Sequence, residues 1–288
     1  MQNFGKNFRY FFLCLLVLAC FFVWYAVYAE NRQGLEVYFL DVGQGDAIFI
    51  ETSNGNQILI DAGPNRQVLR ELSKVMPFYD RSIDVVMESH PDSDHIGGLP
   101  EVLGRYDVTL VIESGVGSDN AVYVETEKII SEKRIKKILA RRGMQINLGD
   151  GAHLDILFPD RDISGLDTND ASIVARLIYG ENEFLFTGDS PKKMEKYLVS
   201  LDGNPPAGGL QSDVLKLGHH GSKTSSSEEF LGYVKPLYAV ISAGKNNRYG
   251  HPHQEILERL NQFKIPYLRT DEKGIIKIKT DGENLHVF

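Results

Sequence analysis

Two histidines and two aspartates fall within six positions of "SHPDSDHIGG" (89–98): His90, Asp92, Asp94 and His95. Imidazole nitrogens and carboxylate oxygens are donors for divalent metal ions. His90 and Asp92 stand two residues apart, as do Asp92 and Asp94, so in an extended or tightly turning loop they can aim at one centre. Asp94 and His95 are adjacent and point in different directions, which suits a second centre. Further donors follow at Asp189, after "FLFTG", and at His219-His220, after "VLKLG". Five or six such ligands fit two divalent ions, and a pair of that kind clamps an ester oxygen and generates hydroxide at neutral pH. Gly97-Gly98 lets backbone pass close to the first cluster. A solvated turn with surface histidines accounts for one cluster, but not for three at successive strand ends.

The elements that must position these groups are read from the apolar pattern. "LEVYFLDV" (35–42), "AIFIET" (47–52) and "QILIDAG" (57–63) predict strands, with "SNGN" (53–56) as a hairpin turn. "IDVVMES" (83–89) predicts an apolar strand leading into the first cluster. A short helix is expected over "IGGLPEVLGRY". The longest helix of the domain is expected over 122–142, with Ile129, Ile130, Ile138 and Leu139 on its apolar side and Gly143 ending it. "HLDILFP", "ASIVARLIYG" and "EFLFTGD" predict strands, and 191–201 a helix. Beyond the Gly/Pro-rich loop "DGNPPAGG" (202–209) come the strand "DVLKLGHH", a helix over 225–234, the strand "YAVISAG", a helix from 253, and short strands at "YLRT", "IIKIKT" and "LHVF". Hairpins first, then alternating strands and helices, suit two packed sheets with helices outside, an α/β (α+β) architecture. The Gly/Pro loop could separate two domains. Strands on both sides of it end in similar polar clusters, so one domain over 30–288 is expected.

Residues 1–29 read differently. Tyr10 to Ala29, "YFFLCLLVLACFFVWYAVYA", holds no charged residue. At the helical rise it reaches about 30 Å, the hydrocarbon thickness of a bilayer. Lys6 and Arg9 precede it, so the N-terminus should stay in the cytoplasm and the rest should be exported. The run exceeds the usual signal-peptide core, which favours an uncleaved signal anchor and a single-pass membrane protein. Cleavage near Val27-Tyr28-Ala29 is the alternative and would give a secreted domain. Cys14 and Cys20, the only cysteines, lie inside this run, so the exported domain has no disulfides. The 31 basic and 39 acidic residues give a net charge of −8. That balance suits a soluble surface domain and does not advertise a nucleic-acid binder.

"SHPDSDHIGG" resembles the H-x-[HD]-x-D-H signature of the metallo-β-lactamase superfamily, and "LIDAG" (59–63) upstream and "FTGD" (186–189) downstream keep that superfamily's order. More specifically, "LDVGQGDAIFI", "HPDSDHIGGL", "TNDASIV", "FTGDS", "LKLGHHGSKTSS" and "YGHP" resemble the C-terminal hydrolase-like domain of ComEC competence proteins. The resemblance runs from about residue 35 to the end; the multi-span channel of those proteins has no counterpart in this sequence. It implies a four-layer αββα sandwich with the site at one edge between the sheets. It implies His90 and Asp92 on one metal, Asp94 and His95 on the other, Asp189 bridging, and His220 on the second. By similarity to phosphorylcholine esterases of the superfamily, His219 would face the leaving group or phosphate. Asp94 could orient the attacking water. Asp61 resembles the buried support beneath the metal loop. Many family members carry a further histidine between the first cluster and the Thr-Gly-Asp motif. Here His153 reads as a strand-surface residue, and the equivalent segment is "TNDAS", with Asn169, Asp170 and Ser172.

Other residues are candidates for substrate contact. Lys216, on the strand before the histidine pair, could meet a carboxylate or a phosphate. Ser222, with Lys223 and Thr224, precedes a helix and suits a phosphate or a helix cap. His251 could enter the substrate groove, and Asn169 could complete the first metal site. Asp41 and Asp46 flank the turn "VGQG". Basic residues from Lys128 to Arg142 could follow a polyanion, although neighbouring glutamates favour a solvated face. The expected protein is a monomeric, membrane-anchored, extracytoplasmic hydrolase with two divalent ions, Mn²⁺ or Zn²⁺, acting on a phosphodiester, with DNA as a candidate and a separate DNA-uptake channel protein as a partner. A DNA-handling module with little or no catalysis, and a phosphorylcholine-esterase-like hydrolase, are the alternatives.

Overall fold

The computed structural model describes residues 2–31, 34–202 and 209–288. It opens with a helix over Gln2–Asn31. Within it, Phe8–Ala26 has mean hydropathy 2.0 and no residue buried. An exposed helix this apolar is long enough to cross a membrane.

Six strands follow: β1 (Leu35–Phe39), β2 (Ile48–Thr52), β3 (Gln57–Ile60), β4 (Ser82–Glu88), β5 (Asp107–Glu113) and β6 (Lys136–Leu139). A second sheet holds β7 (Gln145–Gly149), β8 (Ala152–Phe158), β9 (Val174–Tyr179), β10 (Asn182–Phe186), β11 (Val214–Lys216), β12 (Tyr238–Ile241) and β13 (Tyr267–Arg269). β14 (Ile276–Thr280) and β15 (Leu285–Val287) return to the first, giving the order β15-β14-β1-β2-β3-β4-β5-β6 against β13-β12-β11-β10-β9-β8-β7.

Alternation along the strands builds the layers. Val37 and Phe39 of β1 face Leu177 and Phe186 across the space between the sheets, while Tyr38 points outward under helices. One outer layer packs Val68, Leu72, Leu99 and Val102 on the first sheet; the other packs Leu198, Phe230 and Leu260 on the second. Strands buried on both faces read as continuous apolar runs, which is the pattern of Val85-Val86-Met87 in β4. The result is the four-layer αββα sandwich expected.

The sequence pattern misplaced one region. The helix expected over 122–142 spans Ala121–Lys133, ended by Arg134 in the left-handed conformation, and Lys136–Leu139 pairs with β5 as an edge strand. Ile135 and Ile138 fit either period, so the apolar spacing could not separate helix from strand. The basic residues therefore do not form one helical stripe. Lys137 pairs with Glu113 and Glu127, Lys128 with Glu125, and Lys133 donates to the Leu103 carbonyl. The strands at β5 and β7 were not foreseen. Residues 203–208, the centre of the Gly/Pro-rich loop, lie outside the described residues.

Parallel pairing aligns the donor-bearing ends. β10 and β11 run side by side, with Phe186 opposite Lys216, so Asp189 and His219-His220 emerge from the same edge. β4 delivers His90 from the facing sheet. The Gly-Gly pair works through close approach: a Cβ on Gly97 would fall 2.1 Å from the Pro64 carbonyl oxygen, and one on Gly98 2.3 Å from that of Ala62. Gly97→Ala should cost about 1–3 kcal/mol in chemical denaturation of the full chain in detergent. Gly104→Ala, whose added Cβ meets nothing within 4 Å, is the control and should be neutral or slightly stabilising.

Candidate functional site

Asp61 organises the first cluster. It holds a left-handed φ of 58° and donates its N–H to the Met87 carbonyl at 2.9 Å, which turns the carboxylate under the end of β4. One oxygen accepts the Ser89 backbone N–H at 2.8 Å, and the other accepts the Ser89 hydroxyl at 2.6 Å. The second oxygen also lies 2.8 Å from His95 Nδ1. A proton on Nδ1 leaves Nε2 bare and aimed inward, as in carboxylate–histidine–metal triads. Asp92 is extended, and Ser93–Ile96 then makes one helical turn that carries Asp94 and His95. His90 Nε2 lies 3.6 Å from Asp92.

Asp189 follows β10 and is buried, with its backbone N–H donated to the Ser172 hydroxyl at 3.1 Å. One carboxylate oxygen is 3.3 Å from His95 Nε2; the other is 3.6 Å from His220 Nε2 and 3.7 Å from His219 Nε2. His219 and His220 both adopt left-handed backbone, at φ 49° and 55°. Such strain costs of the order of 1–3 kcal/mol per residue and persists where the surroundings enforce it. It splays the two rings to 84°, so His220 turns into the buried cluster while His219 stays half-exposed. His220 Nε2 also lies 3.4 Å from Asp94.

The donor set fits metal ions. The buried Nε2 atoms of His90, His95 and His220, and one oxygen of Asp189, have no hydrogen-bond partner in the protein. Leaving a buried polar atom unmatched costs about 1–3 kcal/mol, and these four converge in one place. Ligand atoms of Asp46, His95, Asp189 and His220 lie within 4.8 Å of one another. One Asp46 oxygen is 2.6 Å from Lys216 Nζ; the other, 3.1 Å from His220 Nδ1, has no hydrogen-bond partner and belongs to the same group. His220 Nδ1 is held by the Ser242 carbonyl at 3.1 Å. Of the six ligands expected, His95, Asp189 and His220 fall in that group; His90, Asp92 and Asp94 lie beside it, with Asp92 3.6 Å from His90 Nε2 and Asp94 3.4 Å from His220 Nε2.

Electrostatics agrees with a cation-seeking site. Burial opposes charge on His95, but Asp189 and Asp61 raise its pKa well above the ordinary imidazole value. Against the same burial, Asp189 and Asp46 push His220 up to about 9. Burial would raise Asp94, yet His220 and His95 bring it to about 2. Protons thus stand where a metal ion would supply positive charge.

The remaining candidates separate. Gln44, Asp92, Asp94, Asp189, His219, His220, Tyr249 and His251 line a cleft of about 170 Å³. His251 is there as expected. Burial and the neighbouring histidines lower its pKa to about 4, so it is neutral at pH 7. Lys216 is not at the cleft. On β11 it shares the face of Val214, so strand alternation sends it between the sheets, where it is buried against Asp46 and donates to the Leu217 carbonyl at 2.9 Å. Ser222 is also buried, accepting the Thr224 hydroxyl at 2.9 Å; Thr224 in turn lies 3.2 Å from His219 Nδ1. Asn169 is outside the cleft lining, whereas Ser172 sits 3.4 Å from His90 Nδ1. His153 pairs at 3.9 Å with Asp155 on the strand surface, and Asp170 is held by Lys193. Gln44 and Tyr249 were missed as site residues, and Asp46 was left open between a site role and turn chemistry. The polar run "GQGD" between two strands was the available signal for Gln44.

A family model described as the metallo-β-lactamase superfamily matches residues 40–245. The chain belongs to the metallo-β-lactamase superfamily. It is 32% identical to ComE operon protein 3 of Bacillus subtilis, over 93% of this chain and 35% of that protein. It is 32% identical to competence protein ComA of Neisseria gonorrhoeae, over 86% of this chain and 32% of that protein. The chain thus spans about a third of the length of the curated relatives it matches. The metallo-β-lactamase fold protein YhfI of Bacillus subtilis superposes with TM-score 0.56 at 12% identity, covering 82% of this chain and 96% of that one, a likeness of fold alone.

Two outcomes are expected. Lys216→Met strands a buried carboxylate and should destabilise the metal-free protein by about 3–5 kcal/mol in denaturant unfolding, with much of the loss recovered by adding Asp46→Asn. His220 keeps its proton below about pH 9. Metal must displace that proton and the one on His95, whose pKa is also raised, so apparent affinity should climb with pH through the neutral range. Calorimetric titration across that range checks this; a flat profile contradicts it.

Proposed function

We propose that this chain is a membrane-anchored, extracytoplasmic, metal-dependent phosphodiesterase. The observation that carries the reading is the composition of the centre: three carboxylates, Asp92, Asp94 and Asp189, face three imidazoles, His90, His95 and His220. A set half of carboxylates accepts harder ions such as Mn²⁺ more readily than an all-histidine zinc site does. Divalent ions held there would polarise phosphoryl oxygens and acidify water.

The chain's own residues supply the rest. Asp94, ionised and partly exposed at the cleft, orients the attacking water. His219 has a lowered pKa from burial and from His220 and His95, so it is neutral. The Thr224 hydroxyl, donated to Ser222, accepts from Nδ1, and Nε2 faces the cleft beside the leaving group or phosphate. Buried walls hold these groups still and limit water. The exposed apolar helix supports membrane attachment, and Lys6 and Arg9 before it support a cytoplasmic N-terminus. The competence relatives support DNA as substrate, met beside a separate channel protein.

Full chain in detergent with Mn²⁺ should cleave a phosphodiester substrate, and Asp189→Ala should reduce cleavage to background while lowering bound metal. His219→Ala should lower kcat roughly 10²-fold with metal content unchanged. Absence of cleavage by protein shown to carry metal would overturn the reading in favour of a DNA-handling module.

A further inference from the structure

The cleft over the metal cluster opens into a larger groove of about 540 Å³, and Gln44, Asp94 and Tyr249 line both. The volume lies in the range of small-ligand sites. The groove's amides are used as framework. Asn247 donates to the carbonyls of Gly244 at 2.9 Å and of His251, and its side-chain oxygen accepts the N–H groups of Tyr249 at 3.2 Å and His251 at 3.0 Å. Gln44 accepts the Gly244 N–H at 3.1 Å and lies 3.3 Å from His251 Nδ1. Gln67 donates to the Asp41 carbonyl at 2.7 Å. These bonds tie the 244–251 loop to the turn after β1.

Of that loop's exposed residues, Arg248 and Tyr249 line the groove. The Arg248 guanidinium lies over the Tyr249 ring, 4.8 Å from its centroid, and donates to the phenol oxygen at 2.6 Å. Tyr249 also stacks on His251 at 22°, which fixes its ring plane at the mouth of the catalytic cleft. A cation beside an aromatic ring, on a polar groove continuous with a phosphoester-cleaving centre, is the pairing by which proteins hold single-stranded nucleic acid. The cation follows the phosphates and the ring takes a base face. A duplex keeps its base faces stacked and cannot use the ring. The net charge of −8 supplies no general attraction for a polyanion, so local groups must provide recognition.

We infer that this groove is the subsite for the nucleotide next to the scissile phosphate, and that the substrate is a single-stranded polynucleotide. Arg248 leaves the ring to meet the flanking phosphate, and Tyr249 stacks on the base. The inference rests on the phosphodiesterase reading.

The test uses full chain in detergent with Mn²⁺ and three probes: bis(p-nitrophenyl) phosphate, a fluorescent single-stranded oligothymidylate, and a duplex of equal length. Arg248→Ala and Tyr249→Ala should each lower the preference for the oligonucleotide over the small ester about tenfold, mainly through KM, and Tyr249→Phe should retain it. Arg248→Ala should also reduce the slope of log affinity against log salt by about 0.7. Equal losses on oligonucleotide and small ester, no loss on either, or a wild-type preference for duplex would overturn the inference. If the wild type cleaves none of the probes, the phosphodiesterase reading fails. Fluorescence anisotropy of the single strand then decides the groove separately: binding weakened by both alanine variants supports it, and absent or unchanged binding overturns it.

Discussion

A carboxylate buried away from water must find hydrogen-bond donors or a cation, and the site is organised around three that do so in different ways. Asp61 is matched by the protein itself, with the Ser89 N–H, the Ser89 hydroxyl and His95 around it. Asp46 is matched on one oxygen by the Lys216 ammonium, while its other oxygen lies 3.1 Å from His220 Nδ1 without a hydrogen bond. Asp189 is left with imidazole neighbours and one bare oxygen. Asp61 and the Ser242 carbonyl hold His95 and His220 so that their free nitrogens meet at Asp189. The deficit at Asp189 is the reason a metal centre belongs there.

The sandwich exists, from the site's viewpoint, to bring distant strand ends to one edge. β4 comes from one sheet, β10 and β11 from the other, and the inter-sheet core fixes their separation. Strand ends alone do not aim the side chains. Left-handed backbone at Asp61, His219 and His220 does, and the tightly packed Gly97-Gly98 segment lets the chain turn beneath them. Backbone of this kind persists at a site only where the surrounding packing enforces it.

Most strands were legible because burial on one or both faces imposes a period or a continuous apolar run. The region after Lys133 was not, since short apolar spacings there fit helix and strand alike, and pairing with β5 decided the matter. At the site, histidines and aspartates at strand ends announced themselves by type and position. Lys216 did not: a lysine beside two histidines invites a substrate role, and its actual partner, Asp46, lies 170 positions away in sequence. Tyr249 and Arg248 were equally silent, because an exposed loop has no period to read.

From its sequence alone this chain disclosed an apolar helix at its start, an alternation of strands and helices suited to a two-sheet sandwich, and three donor clusters whose residue types select divalent metals. Those follow from local composition and spacing. Which imidazole nitrogen faces inward, which aspartates meet in the buried cluster, and that Lys216 belongs to the core depend on contacts between elements from both sheets. Such contacts are set by register and strand face, so only the tertiary structure could decide them.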